Sequence, residues 1–155
     1  MSNANAKTGP IEARSFLHTR LVDAPRERVF RAFSDPAHLA KWWGPNGFSS
    51  TFETFDLRKD GHWKFVMHGP DGKNYPNENV FTELEAPRRV VIDHIDGHHF
   101  VLTIEFIEEA DGKTLVQWLQ TFDSAEERER IAVFVIEANE HNLDRLEAEV
   151  KKVLP

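Results

Sequence analysis

Two rhythms of apolar and polar positions run along this chain, and the places where one gives way to the other mark out its elements. Strand character from Arg14 to Val22 stops at Asp23-Ala24-Pro25, where Pro25 suits the first turn of a helix because its missing N–H would have no intrahelical partner there. Val29, Phe30 and Phe33 follow at helical spacing and predict the buried face of a short helix. Asp35-Pro36 opens a second in the same way, about two turns long, with Leu39, Trp42 and Trp43 along it and Gly44-Pro45 at its end.

Between Ser49 and Phe122 the period becomes two. Asp-Gly recurs at Asp60-Gly61, Asp71-Gly72, Asp96-Gly97 and Asp111-Gly112, the dipeptide that best tolerates the positive φ angles of type I′ hairpin turns. Ala86-Pro87 adds another break. Trp63, Phe65 and Met67 alternate with His62, Lys64, Val66 and His68, the pattern of a strand with one buried face. Antiparallel strands are expected over 49–57, 62–69, 78–85, 90–95, 98–108 and 114–122. They form a meander that the N-terminal strand closes from its other edge.

Beyond Phe122 the period lengthens again. Ser124-Ala125-Glu126-Glu127 matches a capping box, and a long helix is expected from there. Its apolar stripe is Ile131, Phe134, Val135, Ala138, Asn142, Leu146 and Val153. A helix of that length has only the sheet to cover, so a strongly curved antiparallel sheet wrapped around it is the economical α+β architecture.

Composition narrows the function classes. The chain's 155 residues are 40% apolar, enough for one core and one domain. Residues 1–10 lack apolar period and read as a disordered arm, so the domain is expected over 11–155. There are no cysteines, which removes thiol chemistry, thiolate metal sites and disulfides. Nineteen Lys and Arg against 26 Asp and Glu give a net charge of −7, unfavourable for a phosphate backbone, so no nucleic-acid partner is expected. The longest apolar run, Ile131 to Ile136, is too short to span a membrane. A cytoplasmic protein, monomer or homodimer, is the expectation.

The element order and five motifs carry a resemblance. Leu21 to Phe33 (LVDAPRERVFRAF), Asp35 to Pro45 (DPAHLAKWWGP), Gly69 to Pro76 (GPDGKNYP), Glu83 to Val90 (ELEAPRRV) and Phe122 to Arg128 (FDSAEER) resemble bacterial proteins related to the activator of the ninety-kilodalton heat-shock-protein ATPase. These lie within the START-like, helix-grip (birch-pollen-allergen) superfamily. The match covers about Arg14 to Leu154, and the paired tryptophans before Gly-Pro are its most specific part. The resemblance implies a helix-grip fold with a hydrophobic pocket between sheet and long helix. Relatives use such pockets for lipids, hormones, polyketides or, in a few cases, catalysis. The family's eukaryotic founders carry a separate chaperone-binding domain for which this chain has no room, so chaperone activation is not carried over.

Given that fold, Trp42, Trp43, Phe65, Met67, Phe100, Trp118, Phe134 and Asn139 are the candidates for lining the pocket, although aromatic stripes also serve as ordinary core. Glu78, His94 and Glu105 are the ionisable strand residues that would serve as acid–base groups if they pointed inward. No metal site and no cofactor are expected. His98 and His99 point to opposite faces of a strand, no metal-ligand spacing such as H-E-x-x-H is present, and neither a nucleophile elbow nor a phosphate loop occurs. Three readings follow. The first is a non-enzymatic protein that binds a hydrophobic small molecule. The second is an enzyme acting on an aromatic or polyketide-like substrate, and the third a stress-linked or chaperone-associated interaction module that uses an exposed apolar patch.

Overall fold

The computed structural model describes residues 9–154, and the alternating segments pair in it as one seven-stranded antiparallel sheet. In chain order the strands are β1 (Ser15–Val22), β2 (Ser49–Phe55), β3 (His62–His68), β4 (Asn74–Glu85), β5 (Arg89–His94), β6 (Phe100–Glu109) and β7 (Lys113–Phe122). The spatial order β1-β7-β6-β5-β4-β3-β2 is the expected meander with β1 closing its far edge. Asp111 and Gly112 both take positive φ, 64° and 69°, as a type I′ turn requires. Register shifts at Phe52/Thr54 in β2 and Phe81/Glu83 in β4 bend the sheet. Strand β4 begins four residues earlier than the expected 78–85, because Asn74–Glu78 pair with β3 alone and Pro76 is tolerated where a strand has one neighbour.

Helices α1 (Arg26–Ser34) and α2 (Pro36–Trp42) follow β1 as expected, with the Asp35 carboxylate accepting from the Ala37 N–H at the start of α2. The C-terminal helix departs from expectation. It is divided into α3 (Ala125–Arg130) and α4 (Ala132–Val150) by Ile131, whose φ and ψ of −115° and 8° are not helical. Half of the capping box forms. Ser124 Oγ accepts from the Glu127 N–H, while the Glu127 carboxylate turns to Arg130 and His98. Helix α3 has no buried residue and is held through Arg128, which donates to the Ser15 carbonyl and lies over the Phe16 ring. Helix α4 follows the sheet instead, with Val135, Asn139, Asn142, Leu143, Leu146, Glu149 and Val150 buried. Phe134, expected in that stripe, is 69% exposed.

The main core lies between the sheet and α4, at the end filled by α1 and α2. Phe33 meets Trp63 and Phe81 edge-on, and Trp63 stacks on Phe65 at 4.6 Å between ring centroids. Phe30 packs against Phe106, and the Trp42 indole N–H donates to the Ala32 carbonyl at 2.8 Å. At the sheet edge Arg20 ties β1 to α4 through Glu140, Asp144 and Glu147. Residues 1–8 of the expected arm lie outside the described residues.

Candidate functional site

At the other end of the same interlayer space no described residue fills the gap, and a cavity of about 590 Å³ remains. Its inner wall is Trp43, Leu102 and Trp118, buried side chains from the α2–β2 loop, β6 and β7. Its mouth lies among Tyr75 and Asn77 of β4, the β5–β6 turn at Asp96–His98, and Ile131 and Phe134 where α4 begins.

The α2–β2 loop is held in place by α4. The Arg145 guanidinium donates to four backbone carbonyls, those of Lys41, Gly44, Pro45 and Phe48, each at 2.8 or 2.9 Å. A planar fork of five N–H groups suits this arrangement, which no other side chain reproduces. Burial lowers the Arg145 pKa from its ordinary value. Gly44 donates its N–H to Asn142 Oδ1 at 2.8 Å and has a φ of +104°. A Cβ there would crowd only the flexible end of Met67, its contacts with Phe48 and Arg145 being ordinary ones, so the backbone angle is what calls for glycine.

Polar groups line the cavity in a short chain. The Trp118 indole N–H donates to Asn139 Oδ1 at 3.2 Å, and Asn139 Nδ2 donates to Gln120 Oε1 at 3.0 Å. Across the space His94, itself buried, stacks on Phe100 at 4.6 Å between centroids and hydrogen-bonds through Nδ1 to Asn79 Oδ1 at 2.8 Å. Burial pushes the His94 imidazole below its usual pKa, against the opposing pull of Asp96 and Asp93. Burial therefore favours its neutral form.

The structure gathers Trp43, Met67, Phe100, Trp118, Phe134 and Asn139 of the expected lining around the cavity. Two others are elsewhere. Trp42 is buried in the core with its N–H satisfied by α1, and Phe65 is stacked against Trp63 in the same core. Their strand and helix positions were compatible with either end, and α1 and α2 claim them for the filled one. Of the three acid–base candidates only His94 reaches the cavity. Glu78 and Glu105 occupy the opposite face of the sheet, paired with His62 at 3.0 Å and with Arg89 at 2.8 Å. His99 bridges Asp93 and Asp123, and no metal-binding group of side chains occurs among the described residues.

Gln120, Asn79 and Arg145 were not foreseen. Gln120 had a legible signal, since it interrupts the inward series Val116, Trp118 and Phe122 of β7 with an amide. Arg145 had none, because its partners are backbone atoms about 100 residues away in sequence.

Residues 23–151 match the family model described as Activator of Hsp90 ATPase homolog 1-like protein. The chain belongs to this family. Among solved structures it is similar to a protein from Arthrobacter aurescens, with 26% identity, a TM-score of 0.83, and 95% of this chain and 91% of the other covered. A Mycobacterium smegmatis protein is 25% identical with a TM-score of 0.80, covering 94% and 96% of the two chains. A Nitrosomonas europaea protein shares the fold at 21% identity and a TM-score of 0.83, covering 94% and 99%. No curated protein matches the chain in sequence. No helix among the described residues is long and apolar enough to cross a membrane.

Proposed function

We propose that this protein binds a hydrophobic small molecule in the cavity between the sheet and α4, acting in the cytoplasm as a monomer or homodimer. One observation carries the reading: about 590 Å³ of space walled by Trp43, Phe100, Leu102, Trp118 and Phe122, a volume within the roughly 300–1,000 Å³ typical of small-molecule sites. An apolar wall gives affinity by removing ligand surface from water, at about 25 cal/mol per Å². The loop held by Arg145 keeps Trp43 in place before any ligand arrives, which lowers the ordering cost of binding.

Native mass spectrometry of the purified protein, followed by thermal-shift screening of hydrophobic metabolites, tests this. A ligand selective for the folded state raises the apparent melting temperature. Absence of both a co-purified mass and any shift across the panel would sink the reading.

A neutral, oriented imidazole inside the cavity favours a second reading, an enzyme in which His94 takes a proton from an aromatic or polyketide-like substrate. The two separate on what becomes of a bound compound. Binding alone returns it unchanged from wild type and His94→Gln alike. Catalysis returns a product from wild type only.

A further inference from the structure

The indole N–H has no lone pair, so Trp118 can only donate, and this fixes every amide beyond it. Asn139 must turn Oδ1 toward Trp118, which leaves Nδ2 for Gln120, and Gln120 must answer with Oε1. The chain therefore ends on Gln120 Nε2, a donor with two N–H groups. Gln120 is 8% exposed and lines the cavity, and no described residue accepts from Nε2. Nor is the nitrogen sealed inside protein: among the described residues the fully enclosed, unpartnered side-chain polar atoms are Arg26 Nε, Arg28 Nε, Ser50 Oγ and Trp63 Nε1. The other amides near the inner wall are occupied, Asn139 as above and Asn142 by Gly44 and Ala138.

Charge restricts the partner further. Among the described residues no lysine or arginine lines the cavity, and the only carboxylate on its wall is the exposed Asp96 at the mouth. A ligand carboxylate would lose its hydration with no lysine or arginine among the described lining residues to replace it. His94, Phe100 and the two indoles put aromatic surface on the cavity wall, which suits a ring system.

We propose that the cavity selects uncharged aromatic compounds bearing a hydrogen-bond acceptor such as a ketone oxygen, which takes a hydrogen bond from Gln120 Nε2. This rests on the cavity being a ligand site at all. Gln120 sets the specificity of the site and Trp118, through Asn139, sets the direction of Gln120.

Equilibrium dialysis of the full chain against 2-acetylnaphthalene, 2-ethylnaphthalene and 2-naphthoate tests it. Wild type should hold the ketone about five-fold more tightly than the hydrocarbon, the worth of one net hydrogen bond, and should hold the carboxylate least. In Gln120→Met, checked for folding by circular dichroism, the preference for the ketone over the hydrocarbon should be lost. Equal binding of ketone and hydrocarbon by wild type, or naphthoate held as tightly as the ketone, overturns the selectivity while leaving the cavity a ligand site. Retention of none of the three overturns the ligand-site reading and this inference with it. The comparison within wild type decides even where the variant does not fold.

Discussion

The two ends of the space between the sheet and α4 are built from the same kinds of residue and finish in opposite states. At one end α1 and α2 enter between the layers, and Phe33, Trp42, Trp63, Phe81, Leu143 and Leu146 are fully buried against one another. At the other end no element of the described residues enters. Trp43, Phe100 and Trp118 face open space there, and the first turns of α4 leave Val133 88% exposed. Filled or hollow is thus decided by which element occupies the gap, and aromatic content does not tell the two apart. A sheet curved enough to hold two short helices at one end holds volume at the other that no nearby side chain is long enough to fill.

The sharpest way to break this contrast is truncation at the filled end. Trp63→Ala should cost about 3–5 kcal/mol and Leu143→Ala about 2–5 kcal/mol in urea unfolding, the range for large-to-small changes at sites that cannot collapse. A cost below about 1 kcal/mol for either would mean that end is loosely packed. Trp63→Phe should cost less than Trp42→Phe. The Trp63 N–H is buried without a partner, whereas that of Trp42 donates to Ala32.

Arg145→Ala should cost about 2–3 kcal/mol, since it leaves several carbonyls of the α2–β2 loop short of a donor. Arg145→Lys should recover little of it, because an ammonium cannot span the four oxygens. Hydrogen exchange of residues 44–48 would show whether the loop is what comes free.

Lowering the pH should act on the hollow end. His94 faces Asp96, Asp93 and His99, and burial lowers its pKa on folding. The unfolded chain then binds the proton more readily, so stability is full above the ordinary histidine value of 6.5. It falls as pH drops through that value, and levels off below the folded pKa. Urea midpoints between pH 8 and 5 should drop more for wild type than for His94→Gln. Equal drops would mean the imidazole is solvated.

The smallest effect on stability belongs to the mouth. Phe134→Ser and Val133→Ser should each change unfolding free energy by no more than about 0.5 kcal/mol. Phe134→Ser should nonetheless weaken ligand retention in dialysis, while Val133→Ser, whose side chain is not part of the cavity wall, should not. A large stability loss in either would show that the start of α4 is docked in solution.

Much of this was legible residue by residue. Pro25 and Asp35-Pro36 announced α1 and α2, and the Asp-Gly dipeptides announced the hairpins, because these signals act through the backbone angles of the residues that carry them. The inward series on β7 was readable for the same reason, including the amide at Gln120 that breaks it. The helix break at Ile131 was not. The apolar period runs on through it, and only the separate anchoring of α3 by Arg128 shows why the chain turns there.

What the sequence determined by itself was the order of elements, the meander and the wrapping of sheet on helix, all consequences of local angles and of the period of apolar positions. Only the tertiary structure decided that Trp42 and Phe65 belong to the core alone while Trp43 and Trp118, also core, form the cavity's inner wall, and that His94 points in while Glu78 and Glu105 point out. Burial at a given depth depends on what fills the space opposite, and for this chain that filling comes from helices, a loop and an arginine distant in sequence from the residues they cover.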